Sequence, residues 1–207
     1  MLTRTWTGHV SPEWTIRVGG GDEPARFDPA WADADDRTLV ELCLSGQRDA
    51  FDVIVERYRR QVYQLCYRYV GNHEDASDLA QDALIRAFRG LKGFKGESSL
   101  ATWLYRIAVN VCLNRLALKT PRGEPLEPGE RVDLRAERPD VALLRGERAA
   151  EVRAAIRQLP PKQRATLILR VYHDLPHEEI AGILGSSVGA AKANLFHALA
   201  NLKKLLR

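Results

Sequence analysis

Two long stretches of this chain carry apolar residues at helical spacing, and one short segment interrupts them. The first stretch runs from Asp36 to about Ala117, and the second begins at about Val141. Between them, residues 119–140 contain four prolines and two glycines among many charged residues, a composition typical of a linker. No stretch alternates between apolar and polar residues as a half-buried strand would. The pattern therefore predicts an all-α fold with two small helical domains joined by a flexible linker.

The segment before Asp36 differs from the rest of the chain. Its stretch "VGGGDEPARFDPAWADAD" is rich in Gly, Pro and Asp and has no period, which predicts a flexible extension. Trp14 and Trp31 are its candidates for a docking element. The predicted organisation is an extension over residues 1–35, a first domain over 36–118, a linker over 119–140 and a second domain over 141–207.

Composition narrows the class of protein without identifying it. A net charge of +4 and 28% charged residues are ordinary for a globular protein, and they permit a nucleic-acid partner without requiring one. Cys43, Cys66 and Cys112 are widely spaced within apolar helical patterns, so we expect buried thiols and no disulfide framework. The N-terminus lacks the apolar core of a signal peptide and no stretch approaches a membrane span, so we expect a cytoplasmic protein.

Residues 175–199 have the pattern of a short helix, a tight break and a second helix. Gly185 follows the apolar stripe of the first helix and suits the left-handed conformation that ends a helix. Ser186 and Ser187 are good N-caps for the second helix. This pattern indicates a helix-turn-helix, whose second helix enters the DNA major groove, or else an ordinary helical hairpin. From Gly146 onward the chain carries ten Lys or Arg against five Asp or Glu, which favours DNA.

A second candidate site lies in the helical stretch "DASDLAQDALIRAF", residues 75–88. Its outward face forms an acidic and polar strip made of Asp75, Asp78, Gln81 and Asp82. This acidic strip is a solvated face with favourable N-terminal charges, a docking surface for a basic helical partner, or part of a metal site. No His or Glu cluster elsewhere in the sequence completes a metal site.

A third candidate is the loop "KGFKGESS" and the helix after it. Gly93 and Gly96 give the loop freedom, and Ser98 or Ser99 caps the helix. Aromatic side chains among basic and amide side chains suit single-stranded nucleic acid, because rings stack on exposed bases while cations bind phosphates. The alternative is a purely structural role for Trp103, and we expect Trp103 in the core with the loop making the contact.

Three segments, taken in chain order, resemble one known family. "DASDLAQDALIRAF" resembles the core-polymerase-binding helix of bacterial RNA polymerase sigma factors of the extracytoplasmic-function (ECF) group. "FKGESSLATWLYRIAVN" resembles the promoter-melting and −10-reading segment of that group, and "LPPKQRATLILRVYHDLPHEEIAGILGSSVGAAKANL" resembles its −35-reading domain. The resemblance covers about residues 36–118 and 141–207. A short tether also fits the ECF group, which lacks the intervening domain of housekeeping sigma factors.

The resemblance implies a transcription initiation factor that has no enzymatic activity and no cofactor. It implies binding to core RNA polymerase through the beta-prime and beta subunits, and to promoter DNA in both double- and single-stranded form. An anti-sigma factor is a further implied partner, and no membrane insertion is implied. The chain would direct polymerase to −35 and −10 elements and assist promoter melting, while polymerase performs the chemistry.

The resemblance also assigns site residues in three groups. The residues implied to bind core polymerase are Asp75, Asp78, Gln81 and Asp82. The residues implied to bind −10 DNA are Phe94, Lys95, Ser98, Ser99, Trp103, Arg106, Asn110 and Asn114. The residues implied to bind −35 DNA are Arg164, Ser187, Ala190, Lys192, Ala193, Asn194, His197, Lys203 and Lys204.

Within the predicted −35 domain, the first short helix is expected to brace the second, which reads DNA. Both should pack on the helix "PPKQRATLILRVY" through Leu167, Ile168 and Val171. The outward face of the reading helix is light in charge, so we expect weak binding to an isolated −35 element. Its side chains that offer hydrogen bonds to bases are Lys192, Asn194 and His197.

Two other functions compete with a sigma factor. A conventional helix-turn-helix regulator would bind its operator without core polymerase. A phosphodiester-cleaving enzyme would need a metal or acid–base cluster, and the sequence offers only His173 and His177, at i and i+4 across Pro176, with no third ligand.

Overall fold

The structure, a computed structural model, describes the backbone of residues 29–119 and 139–206 and the side chains of residues 31–117 and 148–206. This described part of the chain is helical, with no strand, which confirms the all-α prediction of two helical domains. Most of the predicted linker and of the predicted extension lies outside the described residues, and both ends of the predicted linker, residue 119 and residues 139–140, are helical. The helices before the linker are α1 (Pro29–Ala32), α2 (Asp36–Leu44), α3 (Ala50–Val70), α4 (His73–Gly90) and α5 (Leu100–Lys119). Those after it are α6 (Pro139–Gln158), α7 (Pro161–Tyr172), α8 (His177–Leu184) and α9 (Val188–Leu205).

Local side chains set the helix ends. Asp35 caps α2 by accepting a hydrogen bond from the Thr38 amide at 2.8 Å, and bonding to Thr38 lowers the pKa of the Asp35 carboxyl. Gly71 ends α3 in the left-handed conformation, with a φ of 82°. Ser99 is the residue that caps α5, because its hydroxyl accepts the Thr102 amide hydrogen at 3.1 Å.

The first domain is built on α3, α4 and α5, whose apolar faces form one core. Phe51 of α3 and Phe88 of α4 meet edge to face, with ring centroids 5.0 Å apart. Cys66 and Cys112 are completely buried in this core, as predicted, whereas Cys43 is only half-buried. Trp31, one of the two predicted docking residues, is partly buried against the same core.

The second domain places α8 and α9 on α7. Leu167 and Ile168 of α7 are buried, as predicted, and α7 packs on both α8 and α9. Val171 was predicted to share this role, but it is 57% exposed, so the prediction was wrong there. Its neighbour Tyr172 is also exposed, at 39%.

The two domains contact each other, with α7 against α3 and α8 against α5. Arg164 of α7 lies at the centre of this contact and is only 4% exposed. Its guanidinium donates to the carbonyl of Tyr69 in α3 at 3.0 Å, and to the carbonyls of Leu159 and Arg157 in its own domain. The Tyr69 hydroxyl donates in turn to the carbonyl of Pro161 at 2.8 Å. A side chain of each domain thus donates a hydrogen bond to a backbone carbonyl of the other domain.

His173, which follows α7, is also covered by this contact. Its ring centroid lies 4.6 Å from that of Tyr105 in α5. The Arg68 guanidinium of α3 lies 3.7 Å above the ring of Tyr172, the residue before His173. Burial, together with the positive charge of Arg68, lowers the pKa of His173 to about 4.

This lowered pKa predicts a pH-dependent loss of stability that His173→Phe should reduce. An unfolded histidine has a pKa of about 6.5, so between that value and about 4 the unfolded chain binds a proton that the folded chain excludes. The contribution of His173 to the free energy of unfolding is therefore complete above pH 6.5 and falls as the pH falls toward 4. Phenylalanine keeps a ring against Tyr105 and binds no proton.

Urea unfolding of both proteins at several pH values through this window would measure the difference. The wild-type protein should lose more stability between neutral and acidic pH than the variant does. An equal loss of unfolding free energy in the two proteins would contradict the assignment of the pH dependence to His173.

Candidate polymerase and nucleic-acid interfaces

The acidic strip lies on the outward side of α4. Asp78 and Gln81 are exposed, in the middle of this strip. Asp82 is half-buried and accepts a hydrogen bond from Nε of Arg86 at 2.8 Å. Asp75 is also half-buried, and it accepts from Arg115 of α5 at 3.0 Å. The strip therefore has an exposed centre, while its two outer carboxylates also bond to arginines.

The geometry of the acidic strip suits a protein partner better than a metal ion. Among the described residues, no group of three or more His, Cys, Asp or Glu side chains has the arrangement to hold a metal. Exposed carboxylates next to paired ones offer hydrogen-bond acceptors to arginine and lysine without a large desolvation cost. Of the three interpretations of the strip, its geometry supports two: a surface that binds a basic partner, and a face that is simply solvated.

The loop before α5 has a fixed shape that depends on Gly96 and Phe94. Gly96 has a φ of 71°, a conformation that L side chains rarely adopt. The Phe94 ring packs on the Trp103 ring with centroids 5.4 Å apart, and both side chains are half-buried against the core. Lys95, between these two loop residues, is exposed. Trp103 thus packs on the core, as expected from its sequence position, and Phe94 links the loop to it.

The α5 helix presents a polar face beside this loop. Arg106, Asn110 and Asn114 are exposed at i, i+4 and i+8, so their side chains follow one side of the helix. Ser99 is exposed at the start of this face, where its hydroxyl caps the helix, and Ser98 is half-buried beside it. The arrangement combines cations, amides and hydroxyls next to two half-buried rings, which matches the chemistry of a single-strand binding surface.

The helix-turn-helix is present as the sequence predicts. Gly185 ends α8 in the left-handed conformation, with φ 56° and ψ 45°. The amide of Ser186 donates to the carbonyl of Ala181 at 2.9 Å, and the hydroxyl of Ser187 accepts the amide hydrogen of Ala190 at 3.1 Å. These bonds satisfy backbone groups at the end of α8 and at the start of α9, while the buried hydroxyl of Ser186 between them has no partner among the described residues.

Most predicted −35 residues lie on the accessible surface of α9. Asn194 is half-buried at the edge of this surface. Asn201, farther along α9, instead donates a hydrogen bond to Gln163 of α7 at 3.0 Å. The exposed members of the predicted set are Ser187, Ala190, Lys192, Ala193, His197, Lys203 and Lys204.

Arg164 is the predicted −35 residue that the structure places elsewhere. Its guanidinium lies in the contact between the domains and not on the surface of α9. Burial lowers its pKa, although arginine remains charged in proteins. A phosphate contact from Arg164 therefore requires that the two domains first separate.

Two features of these surfaces were not anticipated from the sequence. The first is a hydrogen bond from the Thr102 hydroxyl of α5 to the Glu179 carboxylate of α8, between residues 77 positions apart. The second is the exposure of Phe196 and Leu199 on α9, at 70% and 51%. The signal for Phe196 was present in the sequence, because Phe196 lies off the helical stripe of Val188, Ala191, Leu195, Ala198 and Leu202 that faces the core.

Two family profiles match the chain, one in each helical domain. The Sigma-70 region 2 family matches residues 54–120, and the Sigma-70, region 4 family matches residues 149–202. The first match contains the acidic strip and the α5 face, and the second contains the helix-turn-helix. In the part of the chain that the structure describes, no helix has both the length and the apolar character to span a bilayer.

Curated relatives are similar over most of the chain. The RNA polymerase sigma-H factor of Pseudomonas aeruginosa is 36% identical over 181 residues, covering 83% of this chain and 94% of that protein. The ECF RNA polymerase sigma factor SigW of Bacillus subtilis is 34% identical, covering 81% of this chain and 95% of that protein. The ECF RNA polymerase sigma-E factor of Escherichia coli is 35% identical, covering 79% and 90%.

Two solved structures share the fold. CnrH, solved in complex with the cytosolic domain of CnrY, has a TM-score of 0.62 at 24% identity and covers 83% of this chain and 96% of its own. The sigma factor RpoE from Bartonella quintana, solved with the anti-sigma factor NepR, has a TM-score of 0.57 at 21% identity, covering 75% and 96%. With two sigma-70 regions in one chain and sigma factors as relatives along most of its length, this chain belongs to the ECF group of the sigma-70 family.

Proposed function

We propose that this chain is a transcription initiation factor that binds core RNA polymerase, directs it to −35 and −10 promoter elements and assists promoter melting. The observation that carries this proposal is the presence of a region 2 match and a region 4 match in one chain. A conventional helix-turn-helix regulator accounts for the second match but leaves the first without a role. Polymerase performs the chemistry, and we assign no catalytic step to this chain.

The acidic strip of α4 is the proposed docking surface for core polymerase. Its exposed centre, Asp78 and Gln81, can accept hydrogen bonds from a basic partner, and Asp82 can exchange Arg86 for a partner arginine. Since Arg86 and Asp82 form an exposed pair, such an exchange costs little. The family resemblance names a coiled coil of the beta-prime subunit as the partner.

The loop of residues 94–99 and the exposed face of α5 are the proposed site for the opened −10 strand. A melted base loses its stacking partners, so a protein that stabilises it must supply a ring or hydrogen bonds in exchange. Phe94 is accessible in part, and Arg106 and Asn110 extend from the adjacent helix face. The contact of the Phe94 ring with the Trp103 ring would hold Phe94 in place before DNA arrives.

The α9 helix is the proposed reader of the −35 element. Small residues at Ala190 and Ala193 allow the helix backbone to approach the base edges closely. Lys192 can reach guanine or phosphate, and Asn194 can pair with adenine through two hydrogen bonds. Lys203 and Lys204, in the last turn, are the proposed phosphate contacts.

The remaining assignments follow the family. Such a protein would act in the cytoplasm, where core polymerase and promoter DNA are. We also propose an anti-sigma factor as a partner, since the RpoE protein of Bartonella quintana was solved with one. The proposed domains span residues 36–118 and 141–207, with an extension before them and a linker between them.

Capture of core polymerase tests this function directly. The wild-type chain should retain core polymerase and support run-off transcription, whereas the reversals Asp78→Lys and Asp82→Lys together should weaken core binding by at least tenfold, because like charges then oppose the partner. A matched control reverses Glu41 of α2 and Glu56 of α3, which are exposed and each paired with an arginine of its own helix. If the control lost as much affinity as the strip variant, or if the strip variant lost none, the acidic strip would not be the docking surface.

Promoter opening should depend on the loop more than promoter binding does. Replacing Phe94 and Lys95 by alanine removes a ring and a cation while Ser99 still caps α5. A base-stacking contact contributes about 1–3 kcal/mol, so open complexes should fall roughly tenfold or more while closed complexes stay near wild-type levels. Permanganate reactivity of −10 thymines on a promoter mapped by run-off transcription measures opening. Lys92→Ala is the matched control, and wild-type reactivity in the double variant would exclude this role.

Base reading and phosphate binding on α9 should separate by mutation. Asn194→Ala should relax the preference at one or two base positions by about 1–3 kcal/mol, whereas Lys203→Ala should weaken binding to all sequences alike and reduce the salt slope by about one. Asn201→Ala serves as the control, because Asn201 bonds to Gln163 within the domain. Competition assays with a −35 sequence library at several salt concentrations would compare them. The same sequence-independent loss for Asn194→Ala and Lys203→Ala would show that α9 does not read bases.

A further inference from the structure

We propose that an aromatic cluster on α3 and α4, made of Tyr63, Tyr67 and His73, binds arginine side chains of core RNA polymerase. This role rests on the proposed function, because it adds a second part to the docking surface whose first part is the acidic strip. The cluster lies outside the strip and outside both proposed DNA-binding surfaces. Its partner is defined by chemistry: a helix whose arginines meet carboxylates at one place and aromatic rings at another.

The three rings of the aromatic cluster are held nearly parallel. The ring centroids of Tyr67 and His73 are 4.5 Å apart, with the planes at 29°. Those of Tyr63 and Tyr67 are 6.2 Å apart at 15°, and those of Tyr63 and His73 are 6.3 Å apart at 19°. A hydrogen bond between the Tyr63 hydroxyl and Nδ1 of His73 joins the two helices at this point. Because the rings are ordered before a partner arrives, binding would cost little side-chain entropy.

One side of the aromatic cluster is covered and the other is accessible. Tyr63 and Tyr67 are half-buried and pack on the core of the first domain, while His73 is exposed. Ring faces attract cations, and the planar guanidinium of arginine also stacks on them. Among the described residues, the rings that have a guanidinium above them are those of Tyr69 and Tyr172. The accessible faces of the cluster can therefore take a cation from another molecule.

The aromatic cluster is continuous with the acidic strip along α4. His73 is the first residue of α4, and Ser77 and Gln81 follow it at i+4 and i+8 along the same side of the helix. Eight residues of an α-helix span about 12 Å, so the cluster lies within about that distance of the exposed centre of the strip. A partner helix that runs along α4 would therefore contact the strip and the cluster together.

The charges next to the cluster favour a basic protein over nucleic acid. Glu74 and Asp78 are exposed on the side that faces the strip, and Asp75 lies between them, bonded to Arg115. These carboxylates attract arginine and repel phosphate. On the α3 side, Arg60 is exposed one turn before the first ring of the cluster. A nucleic acid bound to the rings would need this cation, so Arg60 separates the two kinds of partner in a test.

Replacing both tyrosines by leucine tests the cluster, because leucine keeps apolar packing on the core and removes the ring faces. Tyr63→Leu and Tyr67→Leu together should weaken binding to core polymerase about tenfold, and Tyr67→Leu alone about threefold, as expected for cation–π contacts. The matched control, Tyr63→Phe with Tyr67→Phe, keeps the rings and loses the bond to His73, and should stay within about twofold of wild type. Fluorescence anisotropy would measure affinity for core polymerase, and urea unfolding would compare stability.

A purely structural role for the rings predicts a different result. At saturating core polymerase the leucine pair should support wild-type run-off transcription, because its defect lies in binding alone, whereas a distorted domain would stay defective. Wild-type affinity in the leucine pair, an equal loss in the phenylalanine pair, or a transcription defect that saturation does not remove would overturn the role of the ring faces.

Two further outcomes separate this role from its alternatives. If the leucine pair and Arg60→Ala both lost affinity for single-stranded oligothymidylate while binding core polymerase as wild type does, the cluster would bind nucleic acid and not arginine. If the wild-type chain bound no core polymerase, the proposed function would be overturned and this role with it. A wild-type chain that binds core, with cluster variants that bind equally well, would overturn the role of the cluster alone.

Discussion

The guanidinium of Arg164 is the group on which the arrangement of the two domains depends. A buried cation is costly unless its donors find acceptors, and both Nη atoms of this one bond to carbonyls, which belong to α3, to α6 and to the residue after α6, while its buried Nε has no partner among the described residues. Those carbonyls occupy fixed positions because they belong to helix ends. One side chain therefore holds together the end of α3, the turn between α6 and α7, and the first turns of α7. The position of α8 against α5 follows from the position of α7.

The sequence predicted local structure well because local structure has local causes. Asp35, Gly71, Gly185 and Ser187 act through bonds to residues at most a few positions away, so their roles are visible in a window of ten residues. The helix-turn-helix and the outward position of Asp78 and Gln81 followed from helical periodicity in the same way. The choice of Ser99 over Ser98 as the cap needed coordinates, because both hydroxyls suit that position chemically.

Long-range contacts could not be predicted in this way. Arg164 was predicted to bind −35 DNA, and nothing near it in the sequence indicates burial, because its carbonyl acceptor on Tyr69 lies 95 positions away. The bond between Thr102 and Glu179 likewise joins two polar residues that each suit the surface. Val171 followed the period of the buried stripe on α7, yet burial depends on whether another helix covers the position, and none does there. Periodicity gives the direction of a side chain but not the extent of the surface that meets it.

Gly71 gives a means of sorting related chains by their sequences alone. Its left-handed backbone can also be adopted by asparagine, so the end of α3 by itself would tolerate either residue. The guanidinium of Arg157, however, occupies the space that any Cβ would need. Natural relatives that pair glycine with arginine at these two positions can make this contact as this chain does, whereas those with asparagine at position 71 must place the side chain at position 157 elsewhere. A covarying pair of positions would thus record, across a lineage, whether this contact between the end of α3 and α6 has been kept or lost.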